Sequence, residues 1–404
     1  MSRHTRRRSP LKTRLGIAGA AVLATGAAVA TMNLASAGEP AHREGTPARA
    51  GADHAVFVQG NELAGNTIHV FRRGDDGTLT GAGTYATGGK GGDQVDAPTD
   101  SLASQGSLVY DAPSGRLLAV NAGSGTVTTF RVTGQKLTDR QVVRSGGDFP
   151  ASITVSGGLA YVMNAGGEGS VQGFRLTARG LTPLSGSRRS LGLRNEKVPL
   201  FTGSPGQIAF TPGGHELVVT TKSANTIEVF PLRKDGRPAH RAVTTPSAGG
   251  VPFAITFDKT GRMLVAEAEK STVSTYRVRH DGTLKVVQKP LPNGQNTLCW
   301  LERAGDFFYG GNTGNSTVTG YRTDQAGKLA LTDKTGVATP PSPRSQGVID
   351  LAVTADARFL YVQNATSGTV DGFRIGHDGS LKKVTTVTGL PAFAESGMEG
   401  ITAV

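Results

Sequence analysis

Apolar and polar positions along this chain alternate with period two, and the alternation recurs in a fixed order. One phrase, Thr-apolar-x-x-aromatic-Arg, marks it seven times: Thr67–Arg72, Thr126–Arg131, Ser170–Arg175, Thr226–Pro231, Thr272–Arg277, Thr317–Arg322 and Thr369–Arg374, with Ser for Thr in the third and Pro for Arg in the fourth. Successive aromatics stand 44 to 59 residues apart. Period two means strand, and a β unit repeated at this scale predicts a propeller. Within the phrase, residues such as Val127 and Phe130 are three apart and so point to opposite faces. Both faces must then be buried, as in a blade stacked between two others.

The rest of each unit aligns on the phrase. An innermost strand comes first (Ser107–Tyr110, Ser152–Val155, Gln207–Phe210, Ala254–Phe257, Thr297–Trp300, Asp350–Val353), with large apolar residues alternating with small or polar ones. A second strand follows, as in Arg116–Asn121, Leu159–Asn164, Arg262–Glu267 and Phe359–Asn364. Four of these second strands end in Asn121, Asn164, Asn312 and Asn364, read as hairpin residues. After the phrase, Asp-Gly turns at Asp76, Asp235, Asp281 and Asp378 lead to a short outer strand. The first unit begins at its second strand, Ala55–Val58, and Gly400–Val404 matches the innermost strand it lacks. The expectation is an all-β, seven-bladed propeller of four-stranded antiparallel blades over residues 52–404, closed by pairing of the two ends, which removes the open sheet edge.

The termini and composition add boundaries. Residues 1–37 read as an export signal: Arg3, Arg6, Arg7, Arg8, Lys12 and Arg14, then the Ala/Gly-rich apolar stretch Leu15–Leu34, then Ala35-Ser36-Ala37 as a cleavage site. Arg7-Arg8-Ser9-Pro10-Leu11-Lys12 resembles a twin-arginine signal. The alternative is a retained anchor, disfavoured because the stretch is weakly hydrophobic and barely long enough to span. Residues 38–51 read as a flexible linker. The chain is therefore expected to be secreted, monomeric and without stable membrane insertion once the signal is removed. Of the formal charge of +12, the signal's six basic residues account for half. The remaining Lys and Arg are dispersed and not interleaved with aromatics, which speaks against nucleic-acid binding. Cys299, the sole cysteine, falls in the small-residue row of an innermost strand and reads as packing. The eight His are scattered without metal-ligand spacing, so neither a metal nor another cofactor is expected.

The repeats resemble the lactonase-type seven-bladed propellers, the group that includes 6-phosphogluconolactonase and the carboxymuconate-cyclising enzymes. The resemblance spans essentially Ala55–Val404 and rests on Phe359–Ala365, Thr369–Phe373 and the Asp-Gly-Thr/Ser-Leu turns at Asp76, Asp281 and Asp378. It implies a sugar-lactone or related cyclic-ester hydrolase. The family's functional stretch reads Gly-Pro-Arg-His, then Asn-Glu before the Thr-apolar phrase. Here Gly206 stands for the arginine, Gln207 for the histidine and Lys222 for the glutamate. Gln cannot serve as a general base, so the usual set is lost or relocated.

Replacement candidates cluster at one place in the repeat. The longest connections, Ala86–Ala103, Ser185–Pro205 and Gly336–Val348, all join an outer strand to the next innermost strand and share one face of the ring. Glu267, Glu399, Asp350, Glu395 and Asp148 are expected to gather at that end of the channel, facing Lys222. Lys222 would steady an oxyanion and Glu267 or Glu399 would act as base, while Gln207, Asp148, Asp350 and Glu395 would bind a small polar or cyclic ligand. The competing reading is a non-catalytic extracellular propeller that binds a ligand or protein at the same mouth.

Overall fold

The computed structural model describes residues 53–404, so the signal over 1–37 and the linker over 38–51 lie outside the described residues. Seven sheets, each a path of four antiparallel strands, form the seven blades. Blade 1 is built from both chain ends, in the order Glu399–Ala403, Ala55–Gln59, Thr67–Arg73, Leu79–Ala86. Val56 pairs with Ala403, Phe57 with Thr402 and Val58 with Ile401, and the Val404 N–H donates to the Ala55 carbonyl. Blades 2 to 7 begin at Leu108–Asp111, Pro150–Ser156, Pro205–Phe210, Pro252–Phe257, Leu298–Ala304 and Val348–Val353, each strand innermost in its sheet. Blade 3 carries one additional short strand, Arg189–Ser190.

The shared phrase is the third strand of every blade, and Val127 and Phe130 are both buried, as opposite-facing core residues between blades must be. The residue ending the second strand does more than turn the chain. Asn121 donates to Thr126 and Thr128, and Asn312 donates to Thr317 and Thr319, in each case the Thr that opens the phrase and the residue two beyond it. The Asp-Gly turns have a second use as well. Tyr161, Tyr309 and Tyr361 each donate a phenolic O–H to the glycine carbonyl of the next blade's turn, at Gly236, Gly379 and Gly77 (2.7–2.9 Å). These bonds tie neighbouring wedges together at the ring's outer side.

Six of the seven innermost strands break register near their first residues, at Pro150/Ser152, Pro205/Gln207, Pro252/Ile255, Leu298/Trp300, Val348/Leu351 and opposite Val58/Gln59. A bulge adds an unpaired residue and re-aims side chains locally. This recurring irregularity turns residues such as Gln207 and Asp350 toward the ring axis. Among the described residues, no helix is long and apolar enough to cross a membrane.

Candidate functional site

One end of the axial channel is closed by the connection that enters blade 2. Residues Asp100 to Gln105 are all at most 4% exposed. They lie across the end at which the innermost strands begin and bond to blades 1, 3, 4 and 6. Ser104 Oγ donates to the Ala151 carbonyl and Trp300 Nε1 donates to the Ser104 carbonyl. Gln105 forms the tip. Its N–H donates to the Gly206 carbonyl, its carbonyl accepts from Ser152 Oγ, and its amide pairs with the Leu301 backbone in both directions and with Glu302 Oε1 (2.9 Å).

Under this cap sit Lys222 and Glu399, next to the cap's own Asp100. Lys222 Nζ donates to the Ala103 carbonyl at 2.9 Å and stands 4.9 and 5.1 Å from the ring centres of Phe201 and Phe253. Burial lowers its proton affinity to about 8, opposed by the nearby charge of Asp100. The Leu102 N–H is shared between Asp100 Oδ1 and Glu399 Oε1. Burial raises both carboxyls, and their mutual repulsion raises Glu399 further, so this pair holds a proton well above the usual carboxylate range. Cys299 lies close by, its thiol pushed up to about 12 by burial and therefore a poor nucleophile.

Beyond the cap, the channel holds a cavity of about 290 Å³. Gln105, Gln207, Glu302 and Asp350 form its polar floor, and Val155, Val353 and Ile401 contribute to the walls. The lining lies mostly along the later halves of the innermost strands, so this space is on the opposite side of the cap from the long loops. Asp350 is 4% exposed, and the backbone N–H groups of Leu351 and Ile401 bond it. Burial, then the charge of Glu302, raises its carboxyl well above the usual range. Glu302 keeps some solvent contact through the cavity, yet lies deep enough that burial pushes it up to about 7. Gln207 Oε1 accepts the Ile255 N–H at 2.5 Å, which fixes the amide orientation.

The seven residues singled out from sequence therefore do not form one cluster. Lys222 and Glu399 come together, but under the cap, and neither lines the cavity. Gln207 and Asp350 do line it. Glu267 is fully buried inside blade 5, where Ser247 Oγ, the Gly249 N–H, Thr272 Oγ1, Ser274 Oγ and Tyr276 O–H all donate to it. It occupies the position of Asn121 and Asn312 in their blades and serves the same hydrogen bonds to the shared phrase, so the expectation that it faces Lys222 is corrected. Asp148 is half exposed beside a separate surface cavity, 4.0 Å from Lys197. Glu395 is exposed in the short turn Phe393–Glu395. The alignment of repeats missed Asp100, Gln105 and Glu302. Glu302 left a trace, a carboxylate directly after the apolar run Leu298–Leu301 of an innermost strand, whereas Asp100 and Gln105 left only the length of their loop. Among the described residues, no group of three or more His, Cys, Asp or Glu is arranged to hold a metal ion.

The fold and the axial floor of polar groups define a seven-bladed β-propeller with a candidate small-molecule cavity. Residues 195–302, which include blades 4 and 5, match the family model described as Lactonase, 7-bladed beta-propeller, and the lactonase-type resemblance read from the repeats holds. No curated protein matches the chain at the sequence level. Similar solved structures include the periplasmic gluconolactonase PpgL of Pseudomonas aeruginosa, at 19% identity over 85% of this chain and 98% of that one, with a TM-score of 0.63. A candidate 6-phosphogluconolactonase of Bacteroides fragilis follows at 17% identity, 87% and 98% coverage and 0.61. A Lactobacillus plantarum protein gives 16%, 86% and 98%, and 0.65. At these identities the likenesses establish the fold.

Proposed function

We propose that this chain is an exported, monomeric binding propeller on a lactonase-type scaffold, taking a small polar ligand into the axial cavity. The observation that carries the reading is the cap. Residues 100–105 fill the channel end where Gly206, Gln207 and Lys222 replace the family's arginine, histidine and glutamate. Lys222, with its ammonium bonded to a carbonyl and flanked by two rings, supports that cap from beneath. Gln207 and Asp350 keep a ligand-binding role, from the other side. Export is supported by the basic, apolar and Ala-Ser-Ala succession of residues 1–37.

A hydrolase opening a sugar lactone or related cyclic ester is the second reading. Glu302 favours it, because a carboxyl held at about 7 beside a second acid suits proton transfer near neutrality. In that reading Glu302, rather than Glu267, is the base, and Lys222 and Glu399 contribute only if residues 100–105 leave the channel. The two readings separate in one experiment, acid release from a panel of sugar lactones in a pH-stat. Release at the buffer rate supports the binding propeller, and release above it that disappears in Glu302→Gln establishes the hydrolase.

A further inference from the structure

The axial cavity has a charge character that narrows its ligand, granted the binding role proposed above. Two carboxyls, Asp350 and Glu302, reach its floor, and among the described residues no Lys, Arg or His lines it. Asp350 is bonded by the neutral backbone N–H groups of Leu351 and Ile401 and has no ion-pair partner among the described residues. A buried carboxyl with no cation beside it is driven toward its neutral form, and a cation bound against it restores the charged form and forms an ion pair. A second, independent feature is Gln207. It is 9% exposed and its Oε1 is held by the Ile255 N–H, but its Nε2 makes no hydrogen bond among the described residues. Gln207 lines the cavity, so this amide donor, with no protein partner, is open to an acceptor placed there. The walls add the third requirement, since Val155, Val353 and Ile401 present hydrocarbon.

The geometry points to a small organic ammonium that also carries an oxygen acceptor as the ligand of this cavity. The ammonium meets Asp350 and Glu302, a hydroxyl or ring oxygen accepts from Gln207 Nε2, and the carbon skeleton lies against the aliphatic walls. The volume, about 290 Å³, is at the lower limit for small-molecule sites and suits a monosaccharide-sized molecule. Amino sugars and amino alcohols have this chemistry. A hydrated metal ion does not use the aliphatic walls, and an anionic sugar acid finds no cation among the lining residues.

The test is isothermal titration of the folded chain at pH 7 with three probes of one ring size: glucosamine, glucose and glucuronate. Glucosamine is expected to bind about tenfold or more tighter than glucose, the size of one charge-assisted hydrogen bond, with glucuronate weakest. Asp350→Asn should reduce the preference for the amine to about twofold, and Gln207→Leu should weaken glucosamine and glucose alike. Glu302→Gln reads the same ammonium contact from the wetter side and serves if Asp350→Asn does not fold. Equal affinity for glucose and glucosamine, a preference for glucuronate, or no binding of any probe overturns the assignment. Failure of the underlying binding role has a different signature, namely catalytic opening of a lactone by the same preparation.

Discussion

Replacing Lys222 with Met tests whether the channel end is closed as described. Lys222 is 4% exposed, and its ammonium donates to the Ala103 carbonyl and lies near the rings of Phe201 and Phe253. Burial depresses it from the ordinary 10.5 to about 8. Below about 8 the group is charged in folded and unfolded chains alike, and the whole cost of burying the charge is present. Between about 8 and 10.5 the unfolded chain still binds the proton while the folded one has released it, so stability rises with pH across that window. The interval corresponds to ~3 kcal/mol. Methionine keeps the length and most of the volume but does not titrate. Asp100 and Glu399 are present in both proteins and largely drop out of the difference. The wild-type advantage over Lys222→Met should therefore grow by ~3 kcal/mol between pH 7 and pH 10.5, measured by urea unfolding of both proteins at matched pH. A difference that stays flat to within ~0.5 kcal/mol would mean a hydrated ammonium, hence an open channel end, and would falsify the cap together with the function built on it.

Other expectations are independent of the cap. Glu267→Ala strands five donors inside blade 5 and should cost ~3 kcal/mol or more in denaturant unfolding, while leaving probe affinities at the axial cavity unchanged. Tyr361→Phe removes the bond to the Gly77 carbonyl between blades 7 and 1 and should cost ~1 kcal/mol, read as a lower thermal midpoint. Deleting residues 399–404 removes the inner strand of blade 1 and exposes the edge of Ala55–Gln59, so a truncated chain should show no cooperative melting transition. Cys299, with its thiol raised to about 12, should resist a colorimetric thiol reagent at pH 8 in the native state and react fully in guanidinium.

The parts of the site differ in how far the amino-acid order revealed them. Asp350 and Gln207 were legible because they fall at equivalent places in the innermost strands, and a position in the repeat translates directly into a position near the axis. Glu267 was misplaced by the same logic. Its position in the repeat was right, but whether a carboxylate there faces the channel or its own blade depends on the donors around it, and Ser247, Thr272 and Ser274 draw it inward. Asp148 and Glu395 also precede innermost strands, yet they sit on irregular segments whose path no periodicity describes.

From the order of residues alone came the number of blades, the role of each strand and the closure by Gly400–Val404. These follow because β alternation, Asp-Gly turns and the recurring phrase are local, and local patterns repeated seven times add up to one architecture. The tertiary structure alone decided where a ligand can enter. That rests on residues 100–105 crossing the axis to meet Ala151, Gly206, Leu301 and Glu399, contacts between segments up to about 300 residues apart in the chain. Such contacts are chosen by which buried polar groups find partners once the ring has closed, and a linear pattern of apolar and polar positions carries no record of that choice.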